Sequence, residues 1–473
     1  ADSEGLVEFY WNPASGHVLQ TLDPAGNLIK PVADFAAVGA GAVVFEASGT
    51  GSASRPVEAK LRETLSTTDK SGAFLTQLQS IGTDLAAGGT AYIPSGSYTL
   101  SGTFTFAGNR LNLEGDGRQV TRIAFDPASP DVAFELNAGG ATIDQSSIRR
   151  IAFTSANTVQ KTAIDAYNIA NLHVSEVAMN SSGWQGTGSI GIRTRGRQFV
   201  HVERCEILTD RPIVFSPNAA YATLAVDHFI VEHCELGTMS ATGTTIELED
   251  GVPISNLTIK NNAIMLGKTG IKGVDTTSGA AGFALKIEDN RFEQGNDATG
   301  YCIDLDYTTH GLANLTCIGN RYDLARNGVK LRGVRNAVFV GDQFPQSSGL
   351  VAVDITIPVG GEVHFIGCRG NGGTRTITNG RCVHRSVDNN ALNWTEQWVY
   401  DASFASGAQQ SDVYHGGIPL SLAVDATQAI ADNTFTGLAF LSSSEDVSAC
   451  FALRGTTGTT AEVFDPDGFY NGT

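Results

Sequence analysis

Two pairs of carboxylates at alternate positions are the strongest candidates for chemistry in this sequence. Glu247 and Glu249 flank one leucine, and Asp304 and Asp306 flank another, in segments whose apolar residues alternate. Such alternation is typical of a half-buried β-strand, so both members of a pair point to the same face. Paired carboxylates can act as general acid and general base on a glycosidic bond.

The spacing of Glu249 and Asp306 favours a hydrolase. The repeat described below places them two strands apart, which is about 9–10 Å at the backbone. Inverting glycosidases hold their two carboxyl groups about 6.5–9.5 Å apart. We predict that Glu249 and Asp306 are the acid and base, and that Glu247 or Asp304 raises the pKa of its neighbour. The alternative is that these side chains are solvated carboxylates without a catalytic role.

A polysaccharide lyase needs other groups, namely a base beside a uronate carboxylate and a cation to neutralise it. Lys272, Tyr307, His310 and Arg332 are the candidates for these roles. Of these, Lys272, Tyr307 and Arg332 are also candidate substrate-binding residues. Lyase chemistry therefore stays open beside hydrolysis.

Trp184 is the aromatic residue placed best for a sugar ring. It lies in the segment Ser-Ser-Gly-Trp-Gln-Gly-Thr-Gly at 181–188, which is predicted to be a loop. An exposed indole would offer its apolar face to a sugar. The alternative is a loop tryptophan that packs on its own turn of the chain.

An internal repeat predicts the elements that carry these residues. The pattern has eight positions. Apolar residues occupy positions 1, 3 and 8, a variable residue occupies position 6, and the other positions accept any residue. The nine instances of the pattern have their sixth position at 151, 177, 205, 234, 262, 290, 320, 342 and 368. Repeats of this length with strand-like alternation, and without helical periodicity, predict a stacked parallel β-helix.

A second column of apolar residues has the same period. Its members are Ile164, Ile190, Ile213, Ile246, Ile271, Ile303, Val329 and Val353. The outward neighbours of these residues are Asp165, Gly191, Val214, Glu247, Lys272, Asp304, Lys330 and Asp354. From Glu247 onward the charges alternate in sign, as in a structural cross-strand ion ladder.

The variable sixth position predicts a buried stack of polar side chains. Asn262, Asn290 and Asn320 occupy it on consecutive repeats, where amides about 4.8 Å apart can bond to one another. Cys205, Cys234 and Cys368 occupy the same column, and we interpret them as structural. The chain has 7 cysteines without a Cys-x-x-Cys motif, so we predict neither a disulfide framework nor a metal site, and no cofactor.

The ends of the repeat predict three regions. Residues 72–85 place five apolar side chains on one helical face, which predicts a helix that caps the first coil. We predict an N-terminal head module and linker over 1–54, the capping helix and β-helix over 55–385, and a small β-rich module over 386–473. The fold class is therefore all-β, a right-handed single-stranded parallel β-helix.

Composition limits the partners. The formal net charge of −18 argues against nucleic acid, whose binding depends on Lys and Arg. The sequence contains no apolar run long enough to insert into a membrane.

Three segments of the sequence resemble segments of known protein families. The sequence at 88–100, Gly-Gly-Thr-Ala-Tyr-Ile-Pro-Ser-Gly-Ser-Tyr-Thr-Leu, and the sequence at 113–123, Leu-Glu-Gly-Asp-Gly-Arg-Gln-Val-Thr-Arg-Ile, resemble the opening of pectate-lyase-like β-helices. Ala-Lys-Leu-Arg-Glu-Thr-Leu at 59–65 is similar to a segment that precedes this opening in phage tailspikes. The catalytic motifs of pectate lyases and polygalacturonases are missing, so no catalytic residue is carried over.

The resemblance implies a homotrimer in the virion tail, attached through the N-terminal region to the phage tail or baseplate. It also implies that the protein binds or depolymerises a bacterial surface polysaccharide, either capsule or lipopolysaccharide O-antigen. Two alternatives remain, which are a receptor-binding spike without catalysis and a bacterial lyase or epimerase unrelated to phage.

Overall fold

The computed structural model describes residues 64–378 with gaps at 109, 138–144, 197–198, 218–227, 239, 266, 277–281, 294–298, 323–326, 345–349, 359 and 370–373. Outside this range it describes only short strands. Within it the chain winds as a right-handed parallel β-helix, and strands of successive coils pair in register in three parallel sheets. The predicted fold class is confirmed.

The coils pass through the three sheets in the order A, B and C, and beyond Arg291–Glu293 single bridge residues at Arg321, Gln343 and Arg369 continue sheet B. Sheet A contains Thr64–Ser66, Gly89–Ile93, Leu111–Gly115, Ser146–Arg149, Asn171–Ser175, Phe199–Glu203, Phe229–Glu232, Asn256–Lys260, Gly282–Glu288, Leu312–Ile318, Val334–Val340, Glu362–Ile366 and Arg381–Arg385. Sheet B contains Gly96–Thr99, Thr121–Ala124, Ala152–Thr154, Ala178–Met179, Glu206–Leu208, Glu235–Gly237, Ala263–Met265 and Arg291–Glu293. Sheet C contains Phe104–Phe106, Asp131–Leu136, Lys161–Tyr167, Ile190–Arg195, Arg211–Ser216, Thr244–Leu248, Thr269–Val274, Tyr301–Asp306, Asn327–Arg332, Val351–Thr356, Thr374–Thr378 and Trp398–Tyr400.

The turn from sheet A to sheet B is made by a single residue in the left-handed conformation. On nine consecutive coils its φ lies between 51° and 66°. The first six coils place a residue with a side chain there, and the last three place a glycine, which adopts this conformation without strain. The nine residues are Arg150, Glu176, Arg204, His233, Asn261, Asp289, Gly319, Gly341 and Gly367.

The residue after this turn is the variable sixth position of the repeat, and it is buried. The Nδ2 atoms of Asn262 and Asn290 donate to the Oδ1 atoms of Asn290 and Asn320 at 3.0 and 3.1 Å. Each Oδ1 also accepts a backbone N–H from the preceding coil. The predicted amide stack is thus confirmed, and it satisfies buried polar groups.

Three cysteines continue this column of side chains. Cys205, Cys234 and Cys368 are buried and unpaired, and their thiols point to a carbonyl of the preceding coil as the asparagine amides do. The prediction that these cysteines are structural is confirmed.

The capping helix runs over Phe74–Asp84. Phe74, Leu78 and Ile81 are buried, and Gly82 lies against Phe104 and Phe106 of the first sheet C strand. The apolar face of this helix therefore covers the open end of the first coil, as predicted. No helix in the described range is long and apolar enough to span a membrane.

The predicted regions at the two ends lie mostly outside the described residues. Strands pair antiparallel at Gln20–Leu22 with Leu28–Pro31, at Val44–Phe45 with Arg55–Pro56, and in a three-stranded sheet of Thr436–Ser442, Ser448–Gly455 and Ala461–Phe464. The boundaries at 54/55 and 385/386 stay predictions, because 46–54, 57–63 and 386–397 are not described.

Candidate active site

The outward face of sheet C carries the predicted charge ladder. Glu247, Lys272 and Asp304 are register partners on consecutive coils, followed by Lys330 and Asp354. Lys272 lies 3.8 Å from Glu247, and Lys330 lies 3.3 Å from Asp304. Opposite charges face each other across the strands, so Glu247, Lys272 and Asp304 form the structural ion ladder that the alternation predicts.

On an earlier coil of sheet C, the strand Ile190–Arg195 pairs with Lys161–Tyr167 two residues away from the predicted register. Ile164 pairs with Ile192 rather than with Ile190, so the outward partner of Asp165 is Arg193 and not Gly191. A shift of two residues leaves every apolar side chain on the same face, so the hydrophobic pattern could not detect it. The shift brings Arg193 and Arg195 onto the buried Asp165 carboxylate.

Glu249 lies in a network that keeps it ionised. Ser216 Oγ donates to one carboxylate oxygen at 2.6 Å, and the Arg211 guanidinium binds the other. Burial alone would raise the pKa of Glu249, but the hydrogen bonds from Ser216 and Arg211 hold that pKa below its usual range. The expectation that Glu247 raises the pKa of Glu249 is wrong, because Arg211 bridges both carboxylates.

Asp306 has a different environment. It is half-buried, and among the described residues its carboxylate accepts hydrogen bonds from Thr308 alone, at 3.0 Å from Oγ1 and 3.4 Å from the backbone N. Its register neighbours are Val274 and Arg332, but Arg332 is bound to Asp354 at 2.6 Å. Within the described range, Asp306 has no ion pair. Glu249 and Asp306 lie on the same edge of sheet C, two coils or about 9–10 Å apart at the backbone.

A buried aspartate at this edge holds the ring of His310. Asp275 Oδ1 lies 2.9 Å from His310 Nδ1, and Asp275 Oδ2 accepts the His310 backbone N–H at 2.9 Å. Asp275 is 4% exposed, and its backbone N–H donates to the Asp306 carbonyl at 2.8 Å. A carboxylate on Nδ1 fixes the ring orientation and leaves Nε2 for proton transfer.

Sequence reasoning named His310 but missed Asp275. The two residues are 35 positions apart and meet only because their coils stack. The sequence feature that they share is that each follows a predicted strand of the second apolar column, the strands of Ile271 and Ile303.

Trp184 does not face a ligand. It is 0% exposed, packs edge-on against Phe153 with ring centroids 6.3 Å apart, and lies beneath the Lys161 ammonium. The short 3₁₀ helix Ser182–Gln185 turns the indole inward. The prediction of an exposed sugar-binding tryptophan is wrong. The alternative of a packed ring is right about burial, but Phe153 and Lys161 belong to the preceding coil and not to the coil of Trp184.

Tyr307 is also unsuited to its predicted role. Its side chain is 2% exposed, and burial raises the pKa of its hydroxyl well above the usual value of 10. A buried phenol with a raised pKa can neither contact a polymer nor accept a proton from one. The residue before it, Asp306, points outward, so Tyr307 points into the core by strand alternation.

Comparison with solved structures shows the same fold in phage tailspike proteins. A mutant tailspike protein of E. coli bacteriophage HK620 in complex with a pentasaccharide has a TM-score of 0.51 at 15% identity, over 73% of this chain and 71% of that one. Another mutant of that tailspike, in complex with a hexasaccharide, has a TM-score of 0.52 at 15% identity, over 75% and 70% of the two chains. The Dettilon tailspike protein has a TM-score of 0.51 at 12% identity, over 87% and 79%. No protein-family model matches this chain, and no curated protein matches it.

Proposed function

We propose that this protein is a phage tailspike that binds a bacterial surface polysaccharide and cleaves it by glycoside hydrolysis. The fold is shared with tailspike proteins, and two of those structures are complexes with an oligosaccharide. The observation that carries the proposal is the edge of sheet C. There Glu249, which its hydrogen bonds keep ionised, lies two coils from Asp306, and Asp306 lies beside the Asp275–His310 pair.

In the proposed mechanism the two carboxyl groups have different roles. Glu249, held ionised by Ser216 and Arg211, is the base that activates a water molecule. Asp306 donates a proton to the leaving oxygen, and its position two coils from Glu249 leaves room for that water between the two carboxyl groups. His310, oriented by Asp275, binds a hydroxyl group of the sugar through Nε2.

The test is a degradation assay on surface polysaccharide from a sensitive host, with reducing ends and the ultraviolet absorbance of unsaturated uronates measured together. The wild type should release reducing ends without absorbance, and Glu249→Gln and Asp306→Asn should each lose at least 100-fold in kcat. Glu288→Gln is the matched control, since it removes a half-buried carboxylate from sheet A, where Glu288 pairs with Lys286 at 2.8 Å. Full activity in both sheet C variants would exclude this site.

A lyase is the second candidate, and the Asp275–His310 pair supports it because an oriented imidazole can act as the base. Absorbance that rises with the reducing ends, and that His310→Ala abolishes, would establish it. Arg332 does not supply the cation in this conformation, because it binds Asp354. A polymer that is bound but not shortened would instead identify a receptor-binding spike without catalysis.

A further inference from the structure

The outward face of sheet A carries a compact group of histidine and glutamate side chains, away from sheet C. His173 and His201 are register partners on adjacent coils, and Glu203 and Glu232 are partners in the neighbouring column. His201 and Glu203 alternate on one strand, so all four side chains point to the same side. The four residues therefore span three consecutive coils.

The ligand atoms of this group are close together. His201 Nε2 lies 2.7 Å from Glu232 Oε1, and His173 Nε2 lies 3.1 Å from Glu203 Oε1. The two imidazole rings stack with centroids 5.1 Å apart. One ligand atom from each of His201, Glu203 and Glu232 lies within 4.8 Å of the other two.

We propose that this group, the sheet A histidine site, binds one divalent transition-metal ion, with Zn²⁺ the preferred occupant. The ligands are His201 Nε2 and one carboxylate oxygen each from Glu203 and Glu232, with His173 Nε2 as the fourth. Zinc takes imidazole and carboxylate ligands about 2.0–2.2 Å from the ion, which small side-chain rotations in this group provide. Imidazole ligands favour zinc, nickel or copper over calcium and magnesium.

The surroundings of Glu232 fit this arrangement. Lys260 Nζ lies 2.9 Å and His233 Nδ1 lies 3.5 Å from Oε2, so both groups bind the oxygen that faces away from His201. Oε1 is the atom that points to His201 Nε2. Outer partners of this kind fix the orientation of a ligating carboxylate, and the two carboxylates outweigh the single ammonium.

A bound ion would join three coils through side chains, in addition to their backbone ladders. The unfolded chain lacks the assembled site, so the metal should stabilise the folded state. This inference does not depend on the proposed function, because the site lies on another sheet and uses none of the same residues.

The test uses the full chain without an affinity tag and titrates it with zinc chloride by calorimetry. We expect one Zn²⁺ per chain, binding weakened at least 10-fold in His201→Ala and in Glu232→Gln, and unchanged binding in His364→Ala. His364 is the matched control because it lies in the His201 column of the same sheet and, among the described side chains, forms an ion pair with Glu362 alone, at 3.1 Å. The ligands are half-exposed, so the variants should keep the far-ultraviolet circular dichroism of the wild type.

Two further measurements require only the wild type. Co²⁺ should give the visible absorption of a four-coordinate site, and Zn²⁺ should raise the melting temperature until a chelator is added. Zinc binding of equal strength in the wild type and His201→Ala overturns the proposal. So does the absence of both the Co²⁺ spectrum and a zinc-dependent melting shift in the wild type.

Discussion

At the scale of single residues, the chemistry open to the sheet C carboxylates depends on their hydrogen-bond partners and not on the order of charged residues along the repeat. Glu247 and Glu249 look equivalent in the sequence, but Glu247 lies between Arg211 and Lys272, whereas Glu249 binds Ser216 and Arg211. Among the described residues, the Asp306 carboxylate accepts hydrogen bonds from Thr308 alone. A candidate catalytic carboxylate is thus recognised by its partners and not by its position in the repeat.

The pH profile of polymer cleavage should report the environment of Glu249. Its pKa is held below the usual 4.5, so the proposed base stays ionised until the pH falls below that value, and the acid limb of the profile should lie there. Ser216→Ala removes one hydrogen bond that lowers this pKa, so the acid limb of the profile should move to higher pH.

The control for this measurement is Ser147→Ala, which removes a hydroxyl from sheet A where it donates to Asn112 at 2.8 Å. Its profile should match that of the wild type. An acid limb that does not move in Ser216→Ala would argue that Glu249 is not the base.

Lys161 is a buried cation with a structural role. Its ammonium, in a side chain 1% exposed, lies within hydrogen-bond distance of four oxygens, which its three N–H groups share: Ser155 Oγ at 2.7 Å, both oxygens of Asn157, and the Gly183 carbonyl at 3.0 Å. It thereby fixes the segment that buries Trp184. Lys161→Met should lower the free energy of unfolding by about 3 kcal/mol, because these acceptors would lose their donor inside the protein.

Chemical denaturation followed by tryptophan fluorescence measures this effect. Lys286→Met is the control, since Lys286 forms a surface pair with Glu288 and such pairs contribute about 0–1 kcal/mol. Equal stability of the two variants would contradict the assigned role of Lys161.

At the scale of elements, the buried column after the sheet A turn shows how one position stabilises consecutive coils. Asn262, Asn290 and Asn320 each accept at Oδ1 a backbone N–H of the preceding coil and donate at Nδ2 to a backbone carbonyl of that same coil. The Nδ2 of each also donates to the side chain in the same position of the next coil. Asp342 continues the column and accepts from the Asn320 Nδ2 at 2.8 Å. Its Oδ2 has no hydrogen-bond partner among the described residues, because an ionised carboxylate cannot donate as the amide does.

Asp342→Asn should therefore stabilise the protein at alkaline pH. Burial raises the pKa of Asp342 from 3.8 to about 7, so the folded state favours its protonated form. The stability due to this proton is present below pH 3.8 and is lost as the pH rises through about 7. The asparagine variant should avoid that loss and gain about 2 kcal/mol over the wild type at pH 8.

Unfolding at pH 5 and at pH 8 tests this difference. Asp289→Asn is the control, since the exposed Asp289 precedes Asn290 in the turn and should give no pH-dependent difference. An Asp342→Asn variant whose advantage is the same at both pH values would contradict a protonated carboxyl in the column.

At the scale of the whole molecule, the exposed aromatic side chains of sheet A bear on how the chains assemble. The tailspike proposal includes a homotrimer attached to the virion tail through the N-terminal region. Sheet A presents Phe283 at 60% exposure and Phe199 at 38%, which are exposed aromatic side chains of the kind that subunit interfaces bury.

Light scattering coupled to size exclusion measures the assembly. We expect a particle of about three times the 49.7 kDa chain mass that does not dissociate on dilution. Phe283→Ser should weaken that particle, whereas Val120→Ser, which changes another exposed apolar side chain, should not. A monomer at micromolar concentration would instead favour the secreted bacterial enzyme among the alternatives.

Sequence periodicity determined the architecture, because each coil must bury its apolar residues at the same positions as its neighbours. The amide stack, the structural cysteines, the capping helix and the ladder of Glu247, Lys272 and Asp304 all follow from that constraint. A register shift of two residues keeps the same apolar side chains on the inner face, so this constraint does not detect it. The pattern could therefore not distinguish Ile190 from Ile192, two residues apart on the same face.

Only the tertiary structure decided which polar groups meet. Asp275 and His310, Glu249 and Ser216, and His201 and Glu232 are each separated by 31 to 35 positions. Their contacts depend on loop lengths and side-chain rotamers, which local pattern does not encode. The burial of Trp184 was decided in the same way, by the direction in which a short 3₁₀ helix turns its ring, whereas the inward direction of Tyr307 follows from strand alternation.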